Sequence, residues 1–436
     1  MKVVILGGGL SAVSTAYYLQ DNPKIDQISI IEKDDQLGGL CRTYEIQGIQ
    51  YDVGPHIIFS KDSEVLTIMN ELLEQNVHKL RRSNQIIYGK TFVQYPFEND
   101  LGKLPKEDIE YCRTSFLSNP YESYEAKNML QFFLKTFGEG ITNLYLRPYN
   151  EKIWKFDPCF MDTQMVERIP KPPKQDIIDS CDGKTIDGYL HQLYFTYPIT
   201  GGIQEIVKSF LKKLNPNKVN IKCNEIITSI NKNNSMVNIF TEQSTYEADL
   251  LISTIPLPEL VRLYNNEVPN NVVNAAKDLK YNSIAICILN VKKDYAGENF
   301  AFMIADKSVI FHRLSKIDFL GDNYKHPEGI TYLAEVTFRE GDQISIMSDE
   351  ELLNKVIIGL EKIGFIDDSK DINFSEVKRF KYAYVIYDLN HKQNVNLIKD
   401  YFSKEGILLN GRFGTFEYIN MDVVIRNSIE LAKQLR

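Results

Sequence analysis

"KVVILGGGLSAVSTAYYL", residues 2 to 19, is the stretch that decides the fold. Residues 2 to 6 form a β-branched apolar run suited to a strand buried on both faces. Helical spacing of Leu10, Val13, Ala16 and Tyr17 starts directly after the glycines, so strand, glycine turn and helix follow in order. Gly7 and Gly9 take the first two positions of GxGxxG, and Ala12 stands at the third, small enough for the helix to pack closely on the strand. Such a turn brings backbone amides up to a pyrophosphate, with Leu10 and Ser11 opening the helix that receives it. "QISIIEKDD" (27 to 35) adds a second strand ending in Glu32 and Lys33, the acid placed to accept hydrogen bonds from an adenosine ribose. The glycines alone would fit a tight turn in an unrelated α/β fold; the strand context and the acid favour a dinucleotide-binding βαβ unit.

A chain of 436 residues, 43% hydrophobic and 25% charged, has material for two or three domains with large cores. The net charge of −8 with no basic block argues against nucleic acid or an anionic membrane as partner, so an anionic ligand must be met by local arginines. Cys41, Cys112, Cys159, Cys181, Cys223 and Cys287 are scattered, with no CxxC and no histidine at ligand spacing. Reduced thiols, no metal site and no disulfide framework are expected. The opening "MKVVIL" lacks the features of a signal peptide, and no apolar run approaches the roughly 18 residues of a membrane span. The expectation is a cytoplasmic protein without membrane insertion.

Further along, "LGGLCRTYEIQGIQYDVGPHIIF" (37 to 59) sets Gly38 and Gly39 before Arg42, an anion site or a surface turn, and turns again at Gly54 and Pro55. "TYPITGGIQEIVKSFLKKL" (196 to 214) puts Ile203, Ile206, Val207, Phe210, Leu211 and Leu214 on one helical face, and "YEADLLISTIPLP" (246 to 258) is a buried strand closed by Pro256. "ILLNGRFGTFEYINMDVVIRNSIELAKQL" (407 to 435) is a strand, a glycine-arginine turn and a helix that Asn420 could cap, whose amino end offers amides to an anion. Residues 100 to 195 are rich in helical patterns, whereas "SIAICILNVKK", "GITYLAEVTF" and "FKYAYVIY" predict an antiparallel sheet.

The GGxxRT extension, the PxGG helix, the late strand and the glycine-arginine turn resemble those of FAD-dependent amine oxidases, protoporphyrinogen oxidases and UDP-galactopyranose mutases. "YGKTFVQYPFENDLGKLPKE", "FGEGITNLYLRPYNEKIW" and "IFHRLS" resemble, in order, segments of the UDP-galactopyranose mutases, the eukaryotic branch more closely than the bacterial. The resemblance implies an α/β fold with a discontinuous Rossmann-like FAD-binding domain (1–65, 196–260 and 398–436). A helical insertion domain (100–195) and an antiparallel β-sheet substrate domain (66–99 and 261–397) complete it. FAD would be held by Gly7, Gly9, Leu10, Ser11, Glu32, Lys33, Gly39, Arg42, Gly54, His56, Ile227, Gly411, Arg412, Met421 and Asp422. Tyr95, Glu98, Arg147, Arg313, Tyr384 and Tyr418 would bind a nucleoside-diphosphate sugar, with His56, Arg147 and Arg313 catalytic. The implied reaction interconverts pyranose and furanose forms of UDP-galactose or a relative, for surface-polysaccharide synthesis, through attack of reduced-flavin N5 on the anomeric carbon. NAD(P)H is a candidate reductant and a homo-oligomer a candidate assembly. The alternatives are a flavin oxidase or dehydrogenase and a non-catalytic FAD or nucleotide-binding protein.

Two guanidiniums sharing a diphosphate by forked hydrogen bonds make chemical sense. Each residue also has a plainer reading. Arg147 could pair with Glu151 at i+4, although Pro148 argues against an unbroken helix there. Arg313 could lie exposed on its strand, Tyr384 and Tyr418 could only pack, and His56 could be a satisfied loop histidine; Lys152 and Trp154 are expected to pack. Two departures stand out: Pro55 occupies a glycine position of the family's Gly-Gly-His stretch, fixing φ and removing an amide, and Glu98 replaces a glutamine that meets uracil. A carboxylate cannot donate to a pyrimidine carbonyl, though it can accept from an N–H or a hydroxyl, so the base or the sugar is expected to differ. A tryptophan of the family is Phe132 or Phe133 here.

Overall fold

The computed structural model describes residues 1–166, 169, 171–187, 193–233 and 236–436. The opening run forms strand Lys2–Leu6 at the centre of a five-stranded, wholly parallel sheet. Its neighbours are Leu250–Ser253 and Gln27–Ile31, and the edges are Ile407–Leu409 and Val219–Lys222. The unbroken apolar run Val3 to Leu6 is explained by cover on both faces. Val3 and Ile5 pack with Val13 and Ala16 of helix Leu10–Leu19 and with Ile206, Val207 and Phe210 of the Gln204–Lys212 region. Val4 and Leu6 face the core beneath a three-stranded antiparallel layer, Ile227–Asn233, Met236–Thr241 and Thr245–Ala248. Gly7 has φ +90°, and a Cβ there would stand 2.8 Å from Thr254 Oγ1, so the turn demands glycine. Helix Met421–Gln434 lies on Leu10–Leu19, Ser14 and Ser428 hydroxyls meeting at 2.8 Å, which ties the last segment to the first.

The second sheet has seven strands, in the order Ile372–Ile386, Lys280–Val291, Ile330–Phe338, Arg313–Lys316, Ala301–Ile304, Asn84–Tyr88 and Thr91–Gln94. It is antiparallel except where Ala301–Ile304 runs parallel to Asn84–Tyr88, strands joined by more than 200 residues of chain and so free of hairpin constraint. One face, with Tyr332, Ala334, Val336 and Leu314, packs under helix Asp349–Lys362. Strand alternation sends Leu333, Glu335 and Arg313 to the opposite face. Helices Lys106–Leu117, Met129–Ile141, Arg147–Trp154 and Lys174–Cys181 lie in the span expected to be helical, of which residues 167, 168, 170 and 188–192 are outside the described set.

The divisions drawn at 65, 195, 260 and 397 fall inside the elements Ser63–Leu73, Tyr194–Tyr197, Leu257–Leu263 and His391–Lys404. Helix Ser63–Leu73 crosses the division drawn at residue 65, because its apolar face, Val65, Met69, Leu72 and Leu73, is buried in the core beside the parallel sheet. Strand His78–Arg81 pairs with Tyr194–Tyr197 in a separate two-stranded ladder rather than joining the large sheet. Among the described residues no helix is long and apolar enough to cross a membrane.

Candidate functional site

A cavity of about 1020 Å³ runs from the glycine turn to the inner face of the large sheet. At the first end, helix Leu10–Leu19 begins at Gly9 without a side-chain cap, and the space a Cβ would occupy at Gly9 is open. Ser11 Oγ is buried there with no partner among the described residues. Glu32 is held by the N–H groups of Gly8 (2.5 Å) and Asp34 (2.9 Å), so its carboxylate is oriented beside the turn. Helix Met421–Gln434 presents a second amino end, at Asn420, again with no side-chain cap. Gly411, Arg412 and Met421 line the cavity there, as do Lys33, Gly39, Gly54 and Ile227 elsewhere along it. Arg412 lies 4.3 Å from the centroid of the Tyr418 ring and donates to Ala383 O, while its Nε is buried without a partner among the described residues. Two uncapped helix ends and several orphaned polar atoms fit FAD: the turn at Gly7–Ser11 for its diphosphate and Glu32 for its ribose.

Two expected cofactor residues stand apart. Arg42 does not line the cavity; it donates to Gln36 O and lies 3.3 Å from Asp34 and 3.6 Å from Asp35, bracing the loop behind Gly38 and Gly39. Asp422 is likewise off the wall, its Oδ2 accepting from Ser60 Oγ at 2.5 Å.

At the second end, Arg313 and Glu335 are register partners on adjacent strands, and Arg313 Nε donates to Glu335 Oε1. Burial works against the guanidinium's charge, but Glu335 beside it holds its pKa above the ordinary value. Tyr384 Oη reaches Glu335 Oε2 at 3.4 Å, and Trp154 stands edge-on to both Tyr384 and Tyr418. His56 lines the cavity, its Nδ1 without a partner among the described residues; burial, then Arg412 and Arg313, push its pKa down to about 4, so the ring is neutral at pH 7. Tyr95 and Glu98 are on the same wall. Phe133 is fully buried, and neither it nor Phe132 lines the cavity. Lys152 donates to the carbonyls of Ile304 and Asp306 at 2.8 Å, and burial pushes its pKa down to about 7, a structural role as expected.

Arg147 is not brought to this wall. It opens helix Arg147–Trp154, donates from Nε to Glu151 at 2.8 Å and lies 3.9 Å from Asp157. Pro148 does not break the helix, because it falls in the first turn and follows a π-helical segment, Thr142–Leu146, where the backbone hydrogen bonds are already shifted. Among the cations that do line the cavity, one overlooked in the sequence is Arg82. Its Nε and Nη2 are buried with no partner among the described residues, its guanidinium lies 5.2 Å from the Phe59 ring centroid, and burial lowers its pKa. Glu335 and Tyr149, both on the wall, were overlooked too. A lone acid inside "TYLAEVTF" was a legible signal for Glu335; Arg82, the second of two adjacent arginines and just past the end of strand His78–Arg81, had no such signal.

A parallel-sheet cradle for a dinucleotide, opening through one cavity onto a second sheet, defines a dinucleotide-binding protein of the Rossmann class. Comparison of sequences makes this narrower: the profile of the flavin containing amine oxidoreductase family matches residues 10–394, and the chain belongs to that family. It is 22% identical over 449 residues to UDP-galactopyranose mutase of Mycoplasma genitalium, covering 99% of this chain and 94% of that protein. It is 19% identical over 436 residues to coproporphyrinogen III oxidase of Bacillus subtilis (strain 168), covering 91% and 90%. Among solved structures, that of a reduced UDP-galactopyranose mutase superposes with a TM-score of 0.91 at 21% identity, over 100% of this chain and 93% of that one. At this identity the superposition establishes the fold.

Proposed function

We propose that the protein is an FAD-dependent sugar-nucleotide mutase, interconverting pyranose and furanose forms of a nucleoside-diphosphate hexose. The observation that carries the reading is the second set of anion-binding groups: Arg82 and Arg313 line the cavity beyond the glycine turn that would hold the cofactor's own diphosphate. Reduced FAD, when bound, would supply the nucleophile and later the leaving group. The chain's residues hold and orient the substrate. Arg82 has buried N–H groups waiting for an acceptor, and Arg313, fixed by Glu335, keeps its remaining donors for the diphosphate. Tyr384, Tyr418 and Tyr149 wall the sugar position and exclude water. Neutral His56 offers one hydrogen-bonding nitrogen without adding charge. Arg147 keeps no place in the clamp. The test is incubation of dithionite-reduced holoprotein with nucleoside-diphosphate hexopyranoses, UDP-galactose first. Furanose formation without net flavin oxidation is expected; no isomerisation across the panel would defeat the proposal.

One observation favours a second reading. The two arginines would equally take carboxylates, and a relative of similar coverage is named for oxidising a porphyrinogen. An oxidase would show substrate-driven flavin reduction, with hydrogen peroxide formed where oxygen is the acceptor.

A further inference from the structure

The same cavity carries a carboxyl group that the clamp leaves unused. Glu98 sits in the short helical turn Phe97–Asn99, 7% exposed, on the wall with Tyr95, Asn99 and Tyr145. Among the described residues no side chain donates to it and no cation pairs with it; its support is its own backbone N–H. Its neighbour Asp100 shows the contrast, taking hydrogen bonds from Gln94 N and Thr185 Oγ1 and pairing with Lys103 at 2.9 Å. Asp52, equally buried, accepts from Tyr197, Thr43 and Ile203. Folding therefore leaves one desolvated, unpaired carboxyl facing the ligand space, an unfavourable arrangement that a ligand donating N–H groups would relieve. Burial pushes its pKa up to about 7, in keeping with that lack of donors.

We propose that Glu98 is a specificity-determining residue that takes the base of a nucleoside diphosphate by an edge with two adjacent N–H donors, as guanine presents, and disfavours uracil. The inference rests on the nucleotide reading of the cavity given above. Two carboxylate oxygens accept two parallel N–H groups in a fork. Uracil offers a single N–H between two carbonyl oxygens, which an ionised carboxylate repels. A buried polar group left without its complement discriminates strongly between ligands.

The experiment titrates oxidised and dithionite-reduced holoprotein with GDP and with UDP at pH 8, reading flavin fluorescence. The wild type is expected to bind GDP at least about tenfold more tightly, the loss of one good forked contact. Glu98→Gln, which restores a donor, should narrow or reverse the ratio, and Glu98→Asp, which keeps the acceptors, should preserve the preference at lower affinity. UDP bound as tightly as GDP by the wild type, or an unchanged ratio in Glu98→Gln with flavin retained, overturns the assignment while leaving the nucleotide reading intact. Binding of neither nucleotide overturns both.

Discussion

Arg313 and Glu335 face each other across neighbouring antiparallel strands, guanidinium against carboxylate, with Glu335 wholly buried. Gly54, at φ +76°, fits over the pair: a Cβ there would lie 3.3 Å from Glu335 Oε2 and 3.4 Å from Arg313 Nη2. The carboxylate thus fixes Arg313 while lowering the positive charge it presents to the cavity.

Removing that carboxylate should destabilise the protein and sharpen its response to anions. Glu335→Gln leaves Arg313 without its buried counter-charge, a loss of about 3 kcal/mol or more. A nucleoside diphosphate that neutralises the freed guanidinium should then raise the melting temperature more in the variant than in the wild type. Thermal melts with and without nucleotide check this; an equal ligand-induced gain in both proteins would show that Arg313 does not meet the anion.

Arg82 and Arg147 should behave oppositely. Arg82→Ala removes charge-assisted hydrogen bonds worth about 1.5–3 kcal/mol, so nucleoside-diphosphate affinity should fall roughly tenfold to hundredfold. Arg147→Ala breaks a half-buried i,i+4 pair worth about 0.3–0.5 kcal/mol, and affinity should change by less than about twofold. Equilibrium titrations of the two variants decide; the reverse order would return Arg147 to the clamp.

These arginines mark where the sequence stops being legible. The βαβ unit can be read because its signals are local: an apolar run, glycines at fixed offsets and an acid one strand later. The helix of "LRPYNEKIW" resists such reading, since Pro148 is accommodated by the π-helical turn before it, which no period in the residues announces. Arg313 could be found by its segment, but Glu335 gains meaning only through strand register, and Arg82 only through what fails to pair with it. Arg42 shows the converse. Its glycine pair is in place, yet Asp34 and Asp35, adjacent acids in the same loop region, draw the guanidinium away.

Glu98 gives a pH signature. Its pKa rises from 4.5 to about 7 on folding, so the folded state holds the proton more tightly than the unfolded one. The associated stability is fully present below pH 4.5 and is lost as pH rises through 7, a change of about 3 kcal/mol at most. His56 works in the other sense, its lowered pKa withdrawing stability as pH falls from 6.5 toward 4. The difference between wild type and Glu98→Gln isolates the first effect: the wild type should lose ground to the variant steadily between pH 5 and pH 8. A difference independent of pH in denaturant melts would mean that Glu98 is ionised throughout.

Gly7→Ala should separate cofactor retention from folding. The new methyl would stand 2.8 Å from Thr254 Oγ1 and 3.1 Å from Ile255 Cγ2, and Thr254 cannot yield easily because its hydroxyl donates to Leu6 O at 2.7 Å. With φ at +90° the backbone itself resists a side chain, at a cost of about 1–2 kcal/mol, so the turn must open and its amides leave the cavity. Gly48, with φ +80° but no atom within 4 Å of a Cβ, carries the backbone strain without the clash and is the control. Flavin absorbance per protein after desalting should collapse in Gly7→Ala, with FAD affinity down by about tenfold or more, and persist in Gly48→Ala. Equal flavin retention in both variants would mean that the glycine turn does not carry the cofactor.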